Sequence, residues 1–208
     1  VKLNNWYSLG GVGARNMEQM QSHLPLQLHP EPKSVFYLGL GSGITAGTAM
    51  QYPVEEVVVA ELVGDVIAAS RKYFEPYTNG LFDDDRVRIV HEDGRNYLRA
   101  SDESFDLIIA DLFIPWKSGV GYLYTQEHFQ TAKGRLNAGG MFIQWIPLYQ
   151  ISERELGIIG KTMLSAFDRV TVWRGDFKPE KPMLALIGHM DVAPLDPAAQ
   201  LAQLSKAA

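Results

Sequence analysis

A chain of 208 residues with 46% hydrophobic and 11% aromatic residues has the material for one domain with a continuous core. Lys and Arg total 19 against 24 Asp and Glu, and the resulting formal charge of −5 argues against a nucleic-acid binder, which needs clustered cations to neutralise phosphates. The absence of cysteine removes disulfides, thiolate nucleophiles, iron–sulfur clusters and Cys-containing zinc sites together, and it fits a reducing, cytoplasmic compartment.

No stretch approaches the ~18 consecutive apolar residues of a membrane helix, so no membrane contact is expected from this segment. There is neither an initiator Met nor a basic-then-apolar leader, and Val1 reads as a cut point in a longer protein. In chain order, residues 1–11 read as a strand and turn and residues 14–23 as a short helix. This arm, 1–30, is too small to form a core of its own and should pack on the main sheet or on a neighbouring subunit.

Residues 34–40, 56–61, 86–91, 105–111 and 141–146 are near-continuous apolar runs, as expected for parallel strands covered on both faces. Between them, Val63, Val66, Ile67 and Tyr73 recur at helical spacing. Residues 126–136 predict another helix, stopped by Gly139 and Gly140. Ser152 and Glu155 form a capping box that opens a helix running to about Phe167. Residues 169–173 and 183–189 read as a terminal antiparallel pair, and 191–208, with Pro194, Pro197 and many alanines, as a tail. Seven strands, five crossed by helices and two ending as a hairpin, predict an α/β domain over 31–190. The layout is that of a class I S-adenosylmethionine-methyltransferase-like Rossmann fold, with a mostly parallel sheet and a short N-terminal β arm.

Four positions along this plan can carry chemistry. Gly39, Gly41 and Gly43 follow the first strand, where glycines allow a sharp turn and a ligand against bare amides; the alternative is only a tight strand-to-helix turn. Ile44 breaks the GxGxxG spacing needed for pyrophosphate, and no Gly-Lys-Ser/Thr is present, so the pattern suits a nucleoside without a pyrophosphate. Glu61 closes the second strand 22 residues after Gly39, where a carboxylate can accept both ribose hydroxyl protons. After the third strand comes Glu92-Asp93-Gly94, where an acidic side chain can accept from an adenine amino group while Gly94 permits close approach; an acidic turn is the alternative. Asp111 ends the fourth apolar run and points into the crevice at the strands' carboxyl ends. Pro115 then fixes a loop whose residues 116–122 have the aromatic and glycine content of a lid, or of a long connection.

The five histidines show no ligand spacing, so no metal is expected. Ser42 is not in GxSxG, which argues against a nucleophile elbow. Trp6, Trp145 and Trp173 read as core or arm packing.

These residues resemble the spermidine synthase (polyamine aminopropyltransferase) family over 3–189, through HLPLQLHPEPKSVFYLGLGSGITAG, VVVAELVGDVIAASRKYF, DDDRVRIVHEDGRNYL and FDLIIADLFIP. The nearest likeness is to bacterial spermidine-synthase-like domains, some of them fused to membrane transporter-like segments. The resemblance implies that Gly39, Gly41, Ser42, Gly43 and Glu61 hold the nucleoside of decarboxylated S-adenosylmethionine, and that Asp93 and Gly94 contact adenine. It implies transfer of an aminopropyl group to a small-molecule amine, release of 5′-methylthioadenosine, and Asp111 as the base. Homodimers are common in the family, and the arm would be the contact.

Several positions depart from the family pattern. In the Asp-Ser-Ser-Asp-Pro motif, Asp111 and Pro115 keep the first Asp and the Pro, but Ile114 replaces the second Asp. Ser42 stands for an Asp, Met17 and Glu18 stand for a Tyr and a Gln, and Ser8 stands for an earlier Gln. The nucleoside half is retained while the polyamine half, with Met17, Glu18, Ile114, Pro115 and Trp116 along it, is rewritten. Glu18, if it faces the crevice, would supply a missing acid. Two alternatives remain open. One is a methyltransferase using intact S-adenosylmethionine, because Ser42 takes a carboxylate away from the donor tail. The other is a non-catalytic nucleoside-binding regulatory domain, because Ile114 replaces an acid.

Overall fold

The computed structural model describes residues 2–3, 7–8, 10–111, 119–175, 177 and 180–191. Strands β1 (Lys2–Leu3) and β2 (Tyr7–Ser8) form an antiparallel arm, followed by helix α1 (Arg15–Leu28). The main body runs β3 (Ser34–Leu38), α2 (Ile44–Gly47), β4 (Glu56–Glu61), α3 (Gly64–Phe74), β5 (Val87–His91), α4 (Gly94–Ala100) and β6 (Phe105–Ala110). It continues with α5 (Gln126–Lys133), β7 (Leu136–Pro147), α6 (Glu153–Leu164), β8 (Arg169–Gly175) and β9 (Met183–His189).

The seven strands lie in the order β5-β4-β3-β6-β7-β9-β8, the first five parallel and β9 antiparallel to both its neighbours. This is the predicted seven-stranded sheet with its closing hairpin. Because side chains alternate across a strand, Val35 and Tyr37 of β3 enter one core layer and Phe36 and Leu38 the other. The sequence runs outward in both directions from β3 and β6, and a crevice opens at such a switch point.

Two expectations need correction. Helix α1 does not stop at His23 but runs to Leu28 with Pro25 inside it. A proline takes the partner from the carbonyl four residues back. Here that carbonyl, Gln21 O, accepts from the indole Nε1 of Trp145 at 2.9 Å, so the helix continues. Helix α5 ends at Gly134 rather than at Gly139 and Gly140. Those two glycines lie within β7, Gly139 at φ 79°, where the register with β6 shifts between Phe105 and Leu107. A Cβ on Gly140 would sit 2.9 Å from Asn137 O and 3.1 Å from Asp106 O.

The capping box at α6 forms as expected, Ser152 N donating to Glu155 Oε2 at 2.7 Å. Asp106, in β6, ties strand starts together: its carboxylate accepts from Lys33 N, Ser34 N and Asn137 Nδ2 at 2.8, 2.9 and 2.8 Å.

His128 is a costly polar group to hold in the core. It is 2% exposed on α5, packed against the rings of Phe129 and Phe142, and neither ring nitrogen has a hydrogen-bond partner. Burial, reinforced by the Arg95 charge, holds its pKa down to about 4. The unfolded chain protonates near 6.5, so stability is intact above that value and falls as pH drops towards 4. The loss should reach about 3 kcal/mol, at 1.36 kcal/mol per unit. His189, also pushed down to about 4, acts in the same direction, so the contribution of His128 is isolated by difference. His128→Phe should flatten the acid limb by that amount in urea unfolding from pH 7 to pH 4; parallel curves for the two proteins would refute it.

Candidate active site

Register builds the site. Leu38 of β3 pairs with Ala60 of β4 on one side and Ala110 of β6 on the other. The residues that follow them, Gly39, Glu61 and Asp111, therefore emerge in one row at the carboxyl edge of the sheet. Ala110 also pairs with Gln144 of β7, extending the row by one strand.

Gly39, Gly41 and Gly43 have φ of 97°, 55° and 80°, which explains why glycine recurs at alternate positions. The expectation of bare amides does not hold. Gly39 N donates to Ala60 O and Gly43 N to Leu40 O, both at 2.8 Å. Leu40 N and Gly41 N donate to Glu61 Oε2 at 3.0 and 3.3 Å. Four of the five amides from Gly39 to Gly43 are thus engaged within the protein. Glu61 is buried, and its Oε1 also accepts from Val63 N at 2.9 Å, so this acid is first of all the clamp of the glycine loop. One lone pair on Oε1 remains for a hydroxyl donor.

Asp93 caps α4, its Oδ1 accepting from Arg95 N at 2.8 Å and Asn96 N at 3.2 Å. Gly94 serves the protein's own packing: a Cβ there would meet Leu38 Cγ at 2.8 Å. Leu62, directly after Glu61, is 63% exposed, an apolar surface at the crevice edge that the sequence did not single out.

The other half of the site hangs on α1. Glu18, Gln21, Ser22 and Pro25 recur at helical spacing and are all buried, one face turned to the sheet. Glu18 does face inward. Its Oε1 accepts from Gly11 N at 2.9 Å and its Oε2 from the Ser42 hydroxyl. Gly10, at φ 118°, leaves room for it, since a Cβ there would lie 2.7 Å from Oε1. Burial raises the Glu18 carboxyl above the usual range, the bonds from Ser42 and Gly11 oppose this, and the nearby Asp111 charge adds to the rise. Gln21 Nε2 donates to Asp111 Oδ1 at 2.6 Å, and Gln144 Nε2 lies 3.4 Å from Asp111 O.

Glu18, Ser42 and Asp111 are thus brought together. Met17 is half-buried and packs against the core layer on the α1 side. Ile114, Pro115 and Trp116, and most of the expected lid, lie outside the described residues, as does Trp6. Of the lid's described end, Tyr122 is exposed, with the Arg95 guanidinium 5.3 Å from its ring centroid. Gln21 and Gln144 were missed. Gln144 interrupts an apolar strand, and that interruption is its available signal; Gln21 stands among other polar residues of α1 and carries none. Among the described residues no group of three or more His, Asp or Glu is gathered to hold a metal, and no helix is long and apolar enough to cross a membrane.

Residues 15–170 match the spermine/spermidine synthase domain family, well over half of the chain. The chain belongs to that family. A polyamine aminopropyltransferase of Thermotoga petrophila is 38% identical over 125 residues, covering 60% of this chain and 42% of that protein. A spermidine synthase solved with the transition-state analogue AdoDATO has a TM-score of 0.74 at 28% identity, covering 88% of this chain and 64% of the other. Human methyltransferase-like protein 13 in complex with SAH, at 17% identity and TM-score 0.65, covers 92% of this chain and 88% of its own, and shares the fold. The chain spans less than half the length of the curated relatives it matches.

Membership in the spermine/spermidine synthase domain family gives the two departures at Glu18 and Ser42 a common meaning. The resemblance implies a Gln and an Asp at these positions; this chain has a Glu and a Ser, hydrogen-bonded to each other. The carboxylate has crossed to the other side of one contact. Ser42 is therefore not a contact without an acid: the Glu18 carboxylate lies against it.

Proposed function

We propose that this chain transfers an aminopropyl group from decarboxylated S-adenosylmethionine to an amine acceptor, releasing 5′-methylthioadenosine. The observation that carries the reading is the pairing of a buried acid, Glu18, with a glycine loop whose amides are already engaged. A donor with a free carboxylate needs N–H donors at that end and would meet Glu18 instead. A donor ending in an ammonium alone finds the acid it needs. On this reading Glu61 Oε1 takes one ribose hydroxyl, Asp93 accepts from the adenine amino group, and Leu62 covers a face of the base.

The amine nitrogen attacks the carbon next to the sulfonium, the C–N bond forms and the C–S bond breaks. Its electron pair stays on sulfur, giving a neutral thioether. The proton lost by the amine goes to Asp111 and then to solvent. Alignment in a closed site can contribute about 7–11 kcal/mol, so a modest base suffices. Ile114, Pro115 and Trp116 would line the acceptor end. Homodimerisation through the arm, a cytoplasmic location and a membrane-anchored parent belong to the same proposal, on the resemblance alone.

Calorimetry with decarboxylated and intact donor and with 5′-methylthioadenosine, followed by mass spectrometry of products from mixed diamines and polyamines, tests it. Aminopropylated product with the decarboxylated donor preferred is expected. A methylated product, or nucleoside binding without turnover, would overturn it.

A further inference from the structure

Two buried amides flank Asp111 with their amide oxygens unused. Gln21 of α1 is 1% exposed and Gln144 of β7 is fully buried. Gln21 turns its Nε2 to the Asp111 carboxylate at 2.6 Å, and Gln144 shares its Nε2 between Trp145 O at 3.2 Å and the main-chain oxygen of Asp111 at 3.4 Å. That choice fixes which end of each amide is which, because Gln21 Oε1 against a carboxylate would be repelled. Both Oε1 atoms are buried and accept no hydrogen bond. Nearly all buried amide oxygens in folded proteins are satisfied, so two beside one carboxylate select for a ligand rich in donors.

From this geometry we infer that Gln21 and Gln144 seat the primary ammonium group of the acceptor beside Asp111, an inference that rests on the aminopropyl-transfer reading. An –NH3⁺ group has three N–H donors, and the cluster offers the Asp111 carboxylate and two amide oxygens. Glu18 and Asp111 already put two acids near each other. Further acceptors in the form of carboxylates would add buried like charge, whereas amides add acceptors at no charge. The seat therefore sets specificity by counting donors: each N-methyl group on the ammonium removes one.

The test uses the protein loaded with 5′-methylthioadenosine for binding, and the decarboxylated donor for turnover. The acceptors are 1,4-diaminobutane and its N,N′-dimethyl and N,N,N′,N′-tetramethyl derivatives, methylated at both ends so that no primary ammonium remains to take the seat. Wild-type protein should lose affinity stepwise along the series. Gln21→Met and Gln144→Met should each raise the diamine KM at least ~10-fold and compress the series, with nucleoside affinity within about twofold as the fold check. A flat wild-type series overturns the inference even if a variant fails to fold. Turnover with unchanged KM in both variants overturns the inference and leaves the transfer reading standing. Diamine binding that depends on both glutamines, without turnover, does the reverse.

Discussion

Asp111→Asn should lower kcat by about 10²–10⁴-fold, the usual worth of a positioned general base, while leaving affinity for 5′-methylthioadenosine unchanged within about twofold. The separation follows from the row at the sheet edge: the proposed nucleoside contacts, Gly39–Gly43, Glu61 and Asp93, lie one strand or more from β6. Asparagine keeps the size of the side chain and an oxygen that can still accept from Gln21 Nε2, so the bond at 2.6 Å can persist without a base behind it. The loss should shrink as pH rises, because an amine with an ordinary pKa near 10 then arrives already deprotonated. Steady-state rates from pH 7 to pH 10, with calorimetry on the same variant, decide it. Wild-type turnover in Asp111→Asn would remove Asp111 from the chemistry.

The fold was legible because parallel strands buried on both faces leave long apolar runs, and β3, β4, β6 and β7 declared themselves that way, whereas the edge strand β5 is only half-buried. The length of α1 was not, because the consequence of Pro25 is cancelled by an indole 124 residues from Gln21. The same distinction holds in the site. Alternating glycines betray positive φ locally, so Gly39, Gly41 and Gly43 could be found, yet the loop's amides are taken by partners from another strand end, Leu40 N and Gly41 N by Glu61 and Gly39 N by Ala60 O. Gly94 was noticed as a small residue, but the partner that needs it small is Leu38. Gln144 interrupts FIQWI, and nothing within that run says that β6 will set Asp111 against it. What a spacing rule cannot carry is the partner brought by another strand.

The Glu18–Ser42 pair gives the second large effect, read as a double-mutant cycle. Glu18→Gln preserves shape, an acceptor for Gly11 N and a partner for the Ser42 hydroxyl, but it removes the charge that the proposed reading sets opposite the donor's ammonium. A charge-assisted hydrogen bond contributes about 1.5–3 kcal/mol, so the KM for decarboxylated S-adenosylmethionine should rise roughly 10- to 150-fold. Ser42→Asp alone sets a second carboxylate against Glu18, where both groups are buried, and should destabilise the protein and weaken the donor site together. The double variant, Glu18→Gln with Ser42→Asp, returns the carboxylate to the loop side of the same contact and should recover most of the donor affinity lost in either single change. A merely structural Glu18, bracing the turn at Gly10 and Gly11, would give a different pattern: lower unfolding midpoints, an unchanged donor KM and additive effects. Non-additivity in donor KM distinguishes the two, because only a carboxylate that acts on the ligand can be moved across the hydrogen bond and still do its work.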